Sequence, residues 1–78
     1  MTTTHLDVPE LIAAGYREAL DDATLDTESD FFEAGGDSLA AFQIAAGIQD
    51  ALDVDVPVAL VFAYPTPAEL AAVVGGLA

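Results

Sequence analysis

The 78 residues carry 14 Asp and Glu against one Arg and no Lys, a formal net charge of −13. Phosphate neutralisation requires Lys or Arg, which excludes nucleic acid as a partner; anionic membrane surfaces are likewise disfavoured, and basic protein partners are favoured through long-range steering. The length allows one small domain without the deep pocket of an enzyme, and the absence of Cys removes disulfides, thiolate zinc sites and thiol nucleophiles.

Leu, Ile, Val and Phe number 23 of the 78 residues, well above the ~20% below which high charge predicts disorder. No apolar run approaches the ~18 residues of a membrane helix. Met1-Thr2-Thr3-Thr4-His5 has neither the cationic nor the apolar part of a signal peptide, so the expectation is a cytoplasmic monomer. Residues 1–6 are expected to form a loose tail and 7–78 a single domain. In that domain Asp7 starts the first helix as N-cap, with Glu10 three positions on. Val8, Leu11, Ile12, Gly15, Tyr16 and Ala19 share one face of a helix over residues 8–21, opposite Glu10, Arg17 and Asp21. Gly15 on the buried face suggests a closely packed neighbour.

Residues 22–37 show no sustained period. Their apolar members are Leu25, Phe31 and Phe32, and the aromatic pair is expected to pin this long loop onto the core. A loop of this length in a compact domain is often functional. The second helix spans 38–52, with Asp37 or Ser38 as N-cap. Ala41, Ile44, Ala45, Ile48, Ala51 and Leu52 make its core stripe. Leu39, Phe42 and Ala46 point the other way, beside Gln43, Gln49 and Asp50, and this second apolar face either receives a partner or is covered by the rest of the chain. Pro57 starts a short helical segment, 58–63, that stops before Pro65. Thr66-Pro67-Ala68-Glu69 then opens the last helix, which carries Leu70, Val73, Val74 and Leu77. The expected fold is all-α: a small bundle of three main helices plus one short helix, with a long loop between helix 1 and helix 2.

Four constellations bear on chemistry. The alternating acids of Asp26-Thr27-Glu28-Ser29-Asp30 resemble the start of a calcium loop. However, Phe31 stands where the tight turn needs Gly, and Asp37 where a bidentate Glu belongs. This stretch therefore reads as a solvated acidic loop, and no metal site is expected. Gly36-Asp37-Ser38-Leu39 spells the signature of a serine esterase family. The serine lacks a base, since His5, the only His, sits in the tail, and no strand precedes it to form a nucleophile elbow. Carboxylate pairs arise by chance in so acidic a chain, and nothing points to the burial a general acid needs. No catalytic residue is expected. That leaves Ser38 itself, at the end of a Gly-Gly loop and the start of a helix. It is either a plain N-cap serine or a hydroxyl well placed for phosphate attachment at a positive helix end.

Asp30-Phe31-Phe32-Glu33-Ala34-Gly35-Gly36-Asp37-Ser38-Leu39 resembles the signature of the acyl-carrier-like family. It is most similar to the peptidyl carrier (thiolation) domains of nonribosomal peptide synthetases. Phe62-Ala63-Tyr64-Pro65-Thr66 is similar to that family's Phe-x-x-Pro-Thr segment, and the order of elements agrees from about residue 8 to 77. The resemblance implies a non-catalytic carrier. Its Ser38 is modified by a phosphopantetheinyl transferase, which attaches the 4′-phosphopantetheine arm of coenzyme A. Gly36 and Asp37 flank the arm; the glycines let the loop turn and an enzyme approach. Asp37 either positions the transferase and its metal or simply caps the helix. Leu39, Phe42, Ala46 and Ala63 form the face on which partner enzymes dock. These partners are an adenylating enzyme and downstream condensation or tailoring enzymes, and the cargo is an aminoacyl or peptidyl thioester. Departures from the pattern are the lack of basic residues on helix 2 and the extreme acidity. They favour a discrete protein acting in trans and keep an acyl carrier for fatty or polyketide intermediates as the alternative. An acidic helical interaction module without a prosthetic group is the reading from a different class.

Overall fold

The computed structural model describes residues 7–77, with only the backbone of Leu77 included. The expected tail, with His5, lies outside the described residues. Four helices follow in order: α1, Val8–Leu20; α2, Ser38–Leu52; α3, Ala59–Ala63; and α4, Pro67–Leu77. No strand occurs among the described residues, and the all-α bundle with one short helix agrees with the sequence reading.

Local chemistry sets the helix ends. Asp7 accepts a hydrogen bond from the Glu10 N–H at 3.2 Å, closing one of the donors that a helix start leaves open. Asp21 was expected inside α1 but terminates it: its φ of 54° is left-handed, and its N–H goes back to the Arg17 carbonyl. Asp53 ends α2 in the same way, the short polar side chain tolerating a conformation that bulkier residues avoid. Val58 turns into α3 rather than belonging to it. At the start of α4 the Thr66 hydroxyl accepts from the Glu69 N–H at 3.2 Å and donates to the Glu69 carboxylate at 3.1 Å, a variant of the expected capping box.

α1 packs against α2 and α4, and α3 lies against α2. Ile12, Tyr16, Ile44, Ile48, Val61, Leu70 and Val74 form the centre, joined by Leu25 and Phe31 from the long loop. The α2 stripe is buried at Ala41, Ile44, Ala45 and Ile48, but Ala51 is exposed and Leu52 only half-buried. Leu52 packs against the core from its edge, and Ala40 adds burial at the other end of the helix. Gly15 also departs from expectation, because a Cβ built there would meet nothing within 4 Å. Contact between α1 and α2 is made by neighbouring side chains, leaving a small groove lined by Leu11, Ile12, Gly15, Ile44, Gly47 and Ile48.

The long loop is a series of hydrogen-bonded turns. Asp22 accepts from Thr24, Asp26 from the Glu28 N–H, and Asp30 from the N–H groups of Phe32 and Glu33. The acids of the calcium-like stretch are thus turn formers. Among the described residues no cluster of His, Asp or Glu is arranged to hold a metal ion. Arg17, the chain's one basic Lys or Arg residue, ties this loop to α1. Its Nε donates to the Leu25 carbonyl and its Nη1 to Glu10 Oε2, both at 2.7 Å.

Candidate functional site

The loop reaches α2 through an aromatic lock. Phe31 is fully buried, and its ring meets those of Tyr16, Phe32 and Phe62 edge-on, with centroids 6.0, 5.6 and 5.9 Å away. The Phe31 N–H donates to the Pro65 carbonyl at 2.9 Å, and the Tyr16 hydroxyl donates to the same oxygen at 2.7 Å. One carbonyl in the turn before α4 therefore holds both α1 and the loop. Burial, with the negative charges of Asp30 and Glu69 nearby, pushes the Tyr16 phenol well above its ordinary value near 10, so the hydroxyl keeps its proton and stays a donor.

The chain then turns toward the serine. The Gly35 N–H returns to the Phe32 carbonyl at 3.1 Å and the Gly36 N–H to the Phe31 carbonyl at 2.9 Å. Gly35 has φ +88°, a conformation open to glycine. Gly36 is required for space: a Cβ there would lie 2.5 Å from Cε1 and Cε2 of Phe31. Expected to admit an approaching enzyme, Gly36 instead has an intramolecular neighbour, the Phe31 ring, already against it.

Asp37 is the N-cap of α2. Its Oδ1 accepts from the Ala40 N–H at 2.9 Å and its carbonyl from the Ala41 N–H at 2.9 Å. The choice between Asp37 and Ser38 as cap is thereby decided for Asp37. Ser38 is the first helical residue and is exposed, so its hydroxyl is not engaged in capping. The N–H groups of Ser38 and Leu39 point out of the first turn with no intrahelical partner, at the positive end of a 15-residue helix.

The remaining predicted residues lie on the outside of the same region. Leu39 and Phe42, 66% and 62% exposed, stand on the free side of α2, with Ala46 exposed one turn further on. Ala63 is exposed at the end of α3. No basic residue lies on α2; Gln43 is exposed there, whereas the Gln49 carboxamide accepts from the Val56 N–H at 2.8 Å and holds the α2–α3 connection in place.

Phe32 differs from expectation. It does not enter the core with Phe31 but is 53% exposed, and its ring stacks on that of Phe62 at 6.1 Å with 25° between the planes. Phe62 is itself 38% exposed. Sequence reading missed this surface pair; the available signal was two adjacent aromatics in a turn, which cannot both face one core.

Residues 10–74 match the family model described as a phosphopantetheine attachment site. The chain is 42% identical over 58 residues to malformin synthetase mlfA of Aspergillus vadensis, a match covering 74% of this chain and 1% of that protein. It is 34% identical over 65 residues to tyrocidine synthase 3 of Brevibacillus parabrevis, covering 83% of this chain and 1% of the synthase. The chain thus spans about one hundredth of the length of these relatives. Among solved structures, a peptidyl carrier protein in complex with the phosphopantetheine transferase Sfp and coenzyme A superposes with a TM-score of 0.83 at 26% identity. That alignment covers 97% of this chain and 99% of the other.

Proposed function

Since this chain belongs to the phosphopantetheine attachment-site family, we propose that Ser38 is the residue that receives the arm and that the carrier it creates bears an aminoacyl or peptidyl group. The chain is a phosphopantetheine carrier domain of the nonribosomal peptide synthetase type, not an enzyme, and its cofactor is 4′-phosphopantetheine. The observation that carries the assignment to Ser38 is the division of labour at the start of α2: Asp37 takes the cap, which leaves an exposed serine hydroxyl on the first helical residue.

The residues present fit a phosphodiester. The Ser38 and Leu39 N–H groups and the helix dipole offset its negative charge. Asp37 orients the first turn, and Gly36, locked against Phe31, fixes where that turn begins. When bound, the arm supplies a terminal thiol, the only one in a chain without Cys, on which cargo is held as a thioester. The chain's own contribution is presentation: a rigid loop, an exposed attachment point and an apolar face beside it.

That face is Leu39, Phe42 and Ala46 on α2 together with Ala63 on α3. A phosphopantetheinyl transferase, an adenylating enzyme and condensation or tailoring enzymes dock on it in turn, each bringing basic residues to a carrier of charge −13. The same acidity supports a discrete carrier that meets its enzymes in trans, and the carrier proposed is a cytoplasmic monomer formed by a single domain over residues 7–78.

The site is tested by modifying the chain with coenzyme A and a transferase, cleaving it after acidic residues, and finding the added mass on the peptide containing Ser38. Added mass elsewhere refutes the assignment. The cargo is tested by offering the modified chain to a panel of amino-acid-adenylating enzymes and malonyl or acyl transferases. Aminoacyl loading is expected; loading by the acyl transferases alone makes this an acyl carrier.

A further inference from the structure

Phe32 and Phe62 are an exposed aromatic pair with an unusual degree of support. Each ring packs edge-on against the buried Phe31, and the two stack on each other. Phe31 is anchored in turn by its N–H to the Pro65 carbonyl and by the missing Cβ of Gly36. The surface pair is therefore supported by packing from below, and it keeps apolar area in water that a closed core would have covered.

Its position relative to Ser38 is the second observation. The Phe32 carbonyl accepts from the Gly35 N–H at 3.1 Å, and only three Cα steps of about 3.8 Å each separate Gly35 from Ser38. A group tethered to the Ser38 oxygen therefore starts a few residues from the turn that carries Phe32. The part of a phosphopantetheine arm next to its phosphate carries a quaternary carbon with two methyl groups, an apolar element suited to an aromatic face. The following amides and methylenes form a narrow, flexible chain.

Resting on the assignment of the arm to Ser38, we propose that Phe32 and Phe62 form a shelf that holds the arm of the modified chain against the protein between encounters with its enzymes. The shelf borders the docking face: Leu39, Phe42 and Ala46 lie on α2, whereas Phe32 and Phe62 bridge the loop and α3, where Ala63 adjoins Phe62. Phe32 and Phe62 limit the arm's excursions by apolar contact without enclosing it, so release requires no opening of the bundle.

The test is proton NMR of the fully modified chain, with the arm's two methyl signals as probe and free pantetheine as reference. Intact mass first establishes that the arm is attached. In the wild type the methyl signals are expected to move upfield and apart through the ring currents of the pair, and to show cross-relaxation to aromatic protons. Phe32→Ala and Phe62→Ala should return them toward the free positions. Phe32→Leu keeps apolar bulk at the loop but removes a ring, and covers the case in which Phe32→Ala fails to fold; it too should diminish the shift. Methyl signals at the free positions in folded, modified wild type overturn the shelf while leaving the Ser38 assignment intact, as do shifts indifferent to both Phe32 and Phe62. No gain in mass on folded chain overturns the Ser38 assignment, and the shelf with it.

Discussion

Gly36→Ala places a methyl group where the structure has no room. The new Cβ would lie 2.5 Å from Cε1 and Cε2 of Phe31, far inside contact distance. Phe31 cannot swing aside, because it is fully buried and flanked by Tyr16, Phe32 and Phe62. Overpacking of this kind costs about 1–3 kcal/mol, and loss of the whole Phe31 packing, at about 3–5 kcal/mol, is the ceiling. A destabilisation of about 2–3 kcal/mol follows, near the upper end of the overpacking range because the obstructed ring has no free side. In a domain of this size each kcal/mol lowers the midpoint by about 4–8 °C, so Tm should fall by roughly 10–20 °C. The assay is far-UV circular dichroism during heating and urea titration. Phe31→Leu in the same chain removes the obstructing ring, so the double variant should lose clearly less than the two single losses added together. A loss below about 0.5 kcal/mol, the range of an ordinary surface change, would show that Phe31 yields to the added methyl group, as would strict additivity with Phe31→Leu.

Other expectations follow from the same contacts. The folded-state phenol of Tyr16 titrates above its ordinary value near 10, so its stabilisation is complete below about pH 10 and is lost as pH rises toward the folded value. An alkaline melting series should show this decline, and Tyr16→Phe should flatten it while lowering neutral stability by about 1 kcal/mol through the lost bond to the Pro65 carbonyl. Gly47→Ala, on an exposed stretch of α2 with nothing within 4 Å of the added methyl, should gain about 1 kcal/mol by helix propensity, read as a higher urea midpoint. Added salt should raise Tm, because 14 acids face one Arg and screening relieves their repulsion; a midpoint flat from low to moderate salt contradicts this.

Much of the molecule was legible in its residues because the determining interactions are local. Asp7, Thr66 and Pro67 marked helix starts by capping chemistry that acts within one turn, and the Ile44-Ile48 stripe declared its face by period. The exposed position of Ser38 at the start of α2 was legible from its place between a Gly-Gly turn and a helix. The misses are long-range. Whether Phe31 or Phe32 turns inward depends on Tyr16 and Pro65, far away in the chain, and a neighbouring pair of aromatics carries no period to choose between them. The space at Gly15 and the crowding at Gly36 are likewise properties of what packs against each glycine. Arg17 looked like part of a solvated face, yet its Nε donates to the Leu25 carbonyl, a contact set by the path of the loop.

The central claim, that Ser38 carries the phosphopantetheine arm, is tested most directly by intact mass and thiol titration after incubation with coenzyme A, Mg²⁺ and a promiscuous phosphopantetheinyl transferase. Ser38→Ala, which leaves the Asp37 cap in place, is treated alongside. A gain of one phosphopantetheine and one titratable thiol is expected on the wild type, and neither on the equally helical variant. An unmodified wild type that is correctly folded, or a variant that still accepts the arm, would contradict the claim.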